Sequence, residues 1–355
     1  MRLGAALPVL GLLFVGGWLM SAASPPAEKF LLDTDIGTDV DDALALVLAA
    51  RSPEVDLVSV TTVGGKPHVR ARIASKLLSL LGKQHVPVAA GLAKPLPTDR
   101  YKVWFPDGLW MGHEGKGVLT EGEIADSPRG DGAGVDQIIS TLLGADEKLT
   151  VVTIGPVSNF GAALRREPRI AAKVKQYIAM GGNVMSNPVL GGHELPPISE
   201  YNFNADHEAA ATALAAGIPT TLVPIELTIQ TYLTSAEVNT LRAEGDQAGK
   251  ALADLLDVWV PIFQGIYKNF AVRDSTYGDW ACHLHDPLAV LVLIRPELLS
   301  FADVQISVKE ENGVLLTRAT AEGETSLRVA TSADLEAARA FILQRLKGDP
   351  SSGER

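Results

Sequence analysis

The sequence is short of cysteine, of positive charge and, beyond its first residues, of long apolar runs. Its single cysteine, Cys282, cannot close an internal disulfide or build a thiolate metal site. Stability must therefore come from a buried core, which 355 residues can readily supply. Lys and Arg number 31 against 42 Asp and Glu, a formal charge of −11 at pH 7. That leaves no general cationic field for phosphate backbones and excludes a nucleic-acid polymer as the expected partner. With 46% hydrophobic and 21% charged residues, the composition is globular and excludes disorder, collagen and coiled coil.

The one long apolar run lies at the start. Arg2 precedes a nearly uncharged stretch over residues 3–20, followed by Ser21-Ala22-Ala23-Ser24 and Pro25-Pro26, the basic, apolar and small-residue parts of a secretory signal. Residues 1–27 are thus expected to be a signal peptide and the protein periplasmic or secreted. A membrane anchor is the alternative, since about 18 apolar residues just span a bilayer. The working domain is expected over residues 28–347, with a disordered tail at 348–355.

From Lys29 onward, β-rich runs at 30–32, 57–63, 86–90, 149–154, 176–180 and 220–223 alternate with amphipathic helical segments. This pattern predicts an α/β fold, an open, mostly parallel sheet with helices on both faces. Residues 302–330 read as a small antiparallel C-terminal element turning at Glu311-Asn312-Gly313, followed by a helix over 333–346. Residues 93–133 lack periodicity and read as a functional loop. Residues 235–270 read as two helices starting from a cap at Ser235. Their stripe Leu252, Leu255, Leu256, Trp259 and Phe263 is expected to be core rather than a lid.

Chemistry concentrates in Asp33-Thr34-Asp35-Ile36-Gly37-Thr38-Asp39-Val40-Asp41-Asp42, five carboxylates in ten residues after an apolar strand. Ligands of open α/β sheets bind beyond the carboxyl ends of strands, and a hard divalent cation resolves the repulsion among so many acids. The register is not that of an EF-hand. Asp39 reads as the N-cap of a helix from Val40. Asp41 and Asp42 lie about 100° apart around that helix, so one should face an ion and the other something beside it. Downstream, residues 153–159 can aim a backbone carbonyl at an ion. Residues 199–206 carry an acid and amides suited to sugar hydroxyls or to turn formation. In His283-Leu284-His285-Asp286-Pro287, Asp286 is either a helix N-cap ahead of Pro287 or a site residue, and His285 either a satisfied histidine or a functional one.

In their order, the motifs DTDIGTDVDDALAL, VTIGPVSN, SEYNFNADHEAA and HDPLAV resemble those of the nucleoside hydrolase family, the inosine-uridine-preferring ribohydrolases, over roughly residues 29–330. The resemblance implies the nucleoside hydrolase-like fold and calcium-dependent cleavage of a nucleoside or related riboside to base and ribose. It implies Asp35, Asp42, the Ile154 carbonyl and Asp286 as calcium ligands, with Asp35 also taking the proton from the attacking water. Asp41 matches the group that holds a ribose hydroxyl, Glu200 and Asn202 the residues that bind ribose, and His285 the imidazole that protonates the leaving base. Asn183 and Asn187 both match one ribose-contacting asparagine. Lys66 stands where the family commonly has a ribose-contacting asparagine, and a cation there would oppose a developing positive sugar. The acidic loop is two residues longer than in the best-known members, and His113 is displaced from the usual order. A homo-oligomer, dimer or tetramer, is implied. Trp104, Trp110, Tyr201 and Trp280 are candidates for stacking on a base. Two other readings remain. One is a non-catalytic nucleoside- or sugar-binding protein on this scaffold. The other is a haloacid-dehalogenase-like phosphatase, which would need Asp33 as a covalent nucleophile.

Overall fold

The computed structural model describes residues 26–125, 132–267, 279–323 and 325–349. Nearly all of the expected signal peptide and of the expected tail lies outside them. Among the described residues no helix is long and apolar enough to cross a membrane.

The strands are β1 (Glu28–Thr34), β2 (Val55–Thr62), β3 (Val88–Ala90), β4 (Leu149–Thr153), β5 (Val174–Met180), β6 (Val189–Leu190), β7 (His193–Glu194), β8 (Thr220–Val223), β9 (Tyr232–Thr234), β10 (Trp280–His283), β11 (Leu299–Glu311), β12 (Val314–Ala319) and β13 (Thr325–Ala333). Nine form one sheet in the order β12-β11-β13-β8-β5-β4-β1-β2-β3, parallel from β13 through β3. The expected antiparallel segment is real, since β11 pairs antiparallel with both β12 and β13. It extends the main sheet, because β13 docks parallel on β8. The turn between β11 and β12 has Asn312 at φ 54° and Gly313 at φ 83°, the left-handed pair that a two-residue hairpin requires.

The helices are α1 (Asp41–Arg51), α2 (Pro67–Leu80), α3 (Glu121–Ala125), α4 (Ala133–Gly144), α5 (Ser158–Arg166), α6 (Asn202–Ala205), α7 (His207–Leu214), α8 (Ile225–Thr228), α9 (Ser235–Glu244), α10 (Gln247–Tyr267), α11 (His285–Ile294) and α12 (Leu335–Lys347). Successive side chains of a strand face opposite sides of a sheet, so each central strand serves two cores. Phe30, Leu32, Val152 and Ile178 join the core built with α1, α2, α10, α11 and α12. Leu31, Val151 and Tyr177 join the one built with α4, α5 and α7. This is why β1 and β4 read as continuous apolar runs rather than alternating ones.

Three cap expectations are corrected. The N-cap of α1 is Val40, without a side-chain bond, so Asp39 does not cap it. The N-cap of α11 is Leu284, also without a side-chain bond, and Asp286 sits inside the first turn. Helix α9 starts from Thr234, one residue before the expected Ser235, in a reciprocal box with Glu237. The stripe from Leu252 to Phe263 is buried, as a core stripe should be.

The chain leaves β1 toward β2 and β3 on one side and leaves β4 toward β5 and β8 on the other. The boundary between the adjacent strands β1 and β4 is therefore the topological switch point, where a crevice opens at the strands' carboxyl ends.

Candidate active site

Both segments at that crevice carry expected site residues. The acidic loop follows β1, and Ile154 follows β4. At Gly155 an added Cβ would lie 2.5 Å from the Asp35 Oδ1 atom, so the absence of a side chain is what lets the Asp35 carboxylate rest against the β4–α5 turn. Asp33, two residues earlier, does not line the cavity. Its carboxylate accepts from the Thr61 hydroxyl (2.6 Å) and the Asn159 amide (2.8 Å), a buried tie between β1, β2 and α5. The phosphatase reading thereby loses its nucleophile.

The cavity has a volume of about 210 Å³, compact beside the ~300–1,000 Å³ of sites for drug-sized ligands. Five carboxylates line it, those of Asp35, Asp39, Asp41, Asp42 and Asp286. Asp41 Oδ2 accepts from the Asp286 backbone N–H at 3.3 Å, which joins the start of α1 to that of α11. Asp41 Oδ1 is buried without a partner among the described residues. Asp42 accepts from the Thr34 hydroxyl. One oxygen from each of Asp39, Asp41 and Asp42 lies within 4.8 Å of the others. Burial, reinforced by repulsion from neighbouring carboxylates, raises Asp41, Asp42 and Asp286 well above the ordinary range and Asp35 to about 7. Buried, anionic, all-oxygen donors fit a hard divalent cation.

The remaining lining comes mostly from other elements and is largely apolar. It includes Leu109 and Met111 from the long loop, Ile225 from α8, and Trp259, Ile266 and Tyr267 from α10. Thus residues 93–133 do contribute to the cavity, and one core-stripe residue, Trp259, also faces it. Of the four proposed stacking residues only Tyr201 lines it. Trp280 instead stacks on Tyr232, Trp104 donates to the Gly313 carbonyl, and Trp110 lies beside Lys66 and Arg70.

The other expected residues divide. Ile154, Asn202 and His285 line the cavity. Asn202 Nδ2 donates to the carbonyls of Met180 (3.0 Å) and Ile154 (3.3 Å). His285 Nδ1 is 2.7 Å from the Thr228 hydroxyl; burial first, and His283 beside it, hold the ring's pKa well below the usual value. Glu200 is buried off the wall, accepting from Phe203 N–H at 3.1 Å, and burial lifts it to about 7. Asn183 is buried with both amide atoms unpartnered among the described residues, also off the wall. Asn187 is tied to Glu194 and Arg318 instead. Lys66 is exposed, its ammonium 4.8 Å from the Trp110 ring centroid, and does not line the cavity. The expected conflict between a cation and a positive sugar does not arise there.

Arg70 escaped the sequence reading. It is wholly buried and donates to the carbonyls of Gly64 (2.9 Å), Ile36 (3.0 Å), Leu109 (2.7 Å) and Asp35 and to the Thr38 hydroxyl (2.8 Å). The signal was available, because Arg70 shares a buried helical stripe with Ile73, Ala74 and Leu77, and a lone arginine on an apolar face needs buried partners.

A carboxylate-rich crevice at the switch point of a largely parallel sheet, with an apolar remainder, defines an α/β enzyme for a small polar ligand bearing an apolar group. The inosine-uridine preferring nucleoside hydrolase model matches residues 30–340, and the chain belongs to that family of glycosyl hydrolases. The pyrimidine-specific ribonucleoside hydrolase RihA of Enterobacter sp. (strain 638) is 31% identical over 287 residues, covering 80% of this chain and 85% of that protein. The solved purine-preferring ribonucleoside hydrolase of Gardnerella vaginalis superposes with a TM-score of 0.73 at 27% identity, over 90% of this chain and 98% of the other. A plant nucleoside hydrolase shares the fold with a TM-score of 0.70 at 24% identity, over 91% and 100%.

Proposed function

We propose that the protein hydrolyses the N-glycosidic bond of a nucleoside or related riboside in a calcium-dependent reaction. The observation that carries this is the cavity lining, carboxylates for a cation and a polyhydroxylated sugar, apolar and aromatic groups for a base. Asp35, Asp42, Asp286 and the Ile154 carbonyl would hold calcium, which when bound polarises water and anchors sugar hydroxyls. Asp35 accepts the proton of the attacking water, a contribution typically of about 10²- to 10⁴-fold for a positioned base. The surrounding carboxylates stabilise positive charge developing on the sugar. Asp41 and Asn202 orient the ribose.

His285 acts as a neutral imidazole. In the tautomer in which the Thr228 hydroxyl, 2.7 Å from Nδ1, donates to that nitrogen, the ring proton resides on Nε2 and is offered to the departing base. The reading as a non-catalytic binding protein draws on Lys66 and on the rebuilt loop between residues 182 and 200, and of these Lys66 lies outside the cavity.

The test measures free ribose from purine and pyrimidine ribosides with calcium and with chelator. Calcium-dependent release is expected. Asp35→Ala should lower kcat at least about 100-fold with an unchanged circular dichroism spectrum, and full activity in that variant would refute the mechanism.

A further inference from the structure

Taking the site to hold a divalent cation as above, we propose that Asp39 is a further direct ligand of that cation, beside Asp42. Asp39 has no structural task at the helix start, because α1 is entered through Val40 without a side-chain cap. It lines the cavity, and its oxygen belongs to the one group of metal-ligating side chains found close enough to share an ion among the described residues, with all separations within 4.8 Å. Beside it, Asp41 is only 2% exposed and its Oδ1 has no partner. Two ionised carboxylates cannot donate to each other, so a proton or a cation must lie between Asp39 and Asp41, and the Asp42 oxygen within the same 4.8 Å supplies the third donor that a cation calls for.

The nearby guanidinium does not fill that place, since the hydrogen bonds of Arg70 run to four carbonyls and the Thr38 hydroxyl. Asp39 is also held firmly where it is. The residue before it, Thr38, is anchored three times. Arg70 donates to its hydroxyl at 2.8 Å, the His113 Nε2 donates to its carbonyl at 2.6 Å, and its hydroxyl reaches Glu114 at 3.4 Å. Glu114 itself accepts from the N–H groups of Met111 (2.5 Å) and Gly112 (2.6 Å). The lengthened loop is thus clamped from the side facing α2 and the 109–114 loop, with Asp39 turned into the cavity. An added carboxylate ligand raises the affinity of an oxygen site for a hard cation.

The experiment is calcium titration by calorimetry on the full chain. Wild type should bind one calcium per chain, and Asp39→Asn should bind it at least about tenfold more weakly. Asp136→Asn, at an exposed ion-pair residue in the first turn of α4 and outside the cavity lining, should bind as wild type does. A folding defect is separated by melting each protein in chelator. There Asp39→Asn should melt at or above wild type, because a like charge beside Asp41 and Asp42 is gone, and its gain in melting temperature on adding calcium should be smaller. Equal calcium affinity in wild type and Asp39→Asn, with any loss confined to KM, overturns the assignment and makes Asp39 a substrate contact. Failure of wild type itself to bind a divalent cation overturns both this assignment and the calcium-dependent reaction.

Discussion

Arg70 shows how a single buried side chain sets the shape of the site. Its donors serve three separate backbone segments, at Asp35–Thr38, Gly64 and Leu109, so the acidic loop, the turn after β2 and the long loop are fixed relative to one another. Arg70→Met keeps the apolar stem and strands three buried carbonyls, those of Asp35, Ile36 and Gly64, while the Leu109 carbonyl is only part-buried and the Thr38 hydroxyl keeps Glu114. At about 1–3 kcal/mol for each acceptor that water cannot reach, a loss of at least about 3 kcal/mol is expected, read as a lower denaturant midpoint with unchanged slope. Residual turnover should also fall, since the Asp35 carbonyl is among the stranded groups. A midpoint within about 0.5 kcal/mol of wild type would show that the loop holds itself. Arg70→Lys should restore little, because an ammonium cannot reproduce the planar fork.

At the scale of elements, the cavity-lining groups are assembled by junctions. Strand β1 delivers Asp35, the β4–α5 turn delivers Ile154, and the contact between α1 and α11 brings Asp286 to Asp41. Gly155 is the tightest of these joints. Gly155→Ala would place a methyl group 2.5 Å from Asp35 Oδ1, a distance real contacts do not tolerate, so the carboxylate or the turn must move. A stability cost of about 1–3 kcal/mol and a fall in kcat of at least about tenfold are expected, measured by urea unfolding and ribose release. Wild-type kinetics in this variant would mean that Asp35 has room to shift without consequence. The cap corrections belong to the same scale. Asp is a good N-cap by propensity, yet the carboxylates of Asp39 and Asp286 line the cavity instead, at the rim where α1 and α11 begin.

For the molecule as a whole, the buried acids make stability depend on pH. Burial raises Asp33, Asp35 and Glu200 to about 7, against about 4 in an unfolded chain. Between pH 4 and 7 the folded form therefore holds more protons than the unfolded form, and stability falls as pH rises through that window. In chelator the melting temperature should drop by several degrees from pH 5 to pH 8. Calcium should raise it more at pH 8 than at pH 5, where a proton competes for the Asp35 carboxylate. A chelated protein that gained stability over this range would contradict the burial of these groups. Much of this architecture was legible beforehand. The alternation of apolar runs with amphipathic segments requires crossover connections and a parallel sheet, and the density of acids after the first strand marks the crevice, because both follow from local spacing and charge. The division of labour within that density was not legible. Asp33 and Asp42 are equally acidic in sequence, and only the folded chain puts Thr61 and Asn159 against the first and the cavity against the second. Likewise, Lys66 stands in a motif position yet lies over Trp110, while Arg70, four residues on, goes inside. By itself the sequence determined the fold class, the family and the place of the acidic loop. Which acids face the cavity, which are structural ties and which cation is buried were decided by contacts between segments dozens to hundreds of residues apart, and spacing along the chain does not encode such contacts.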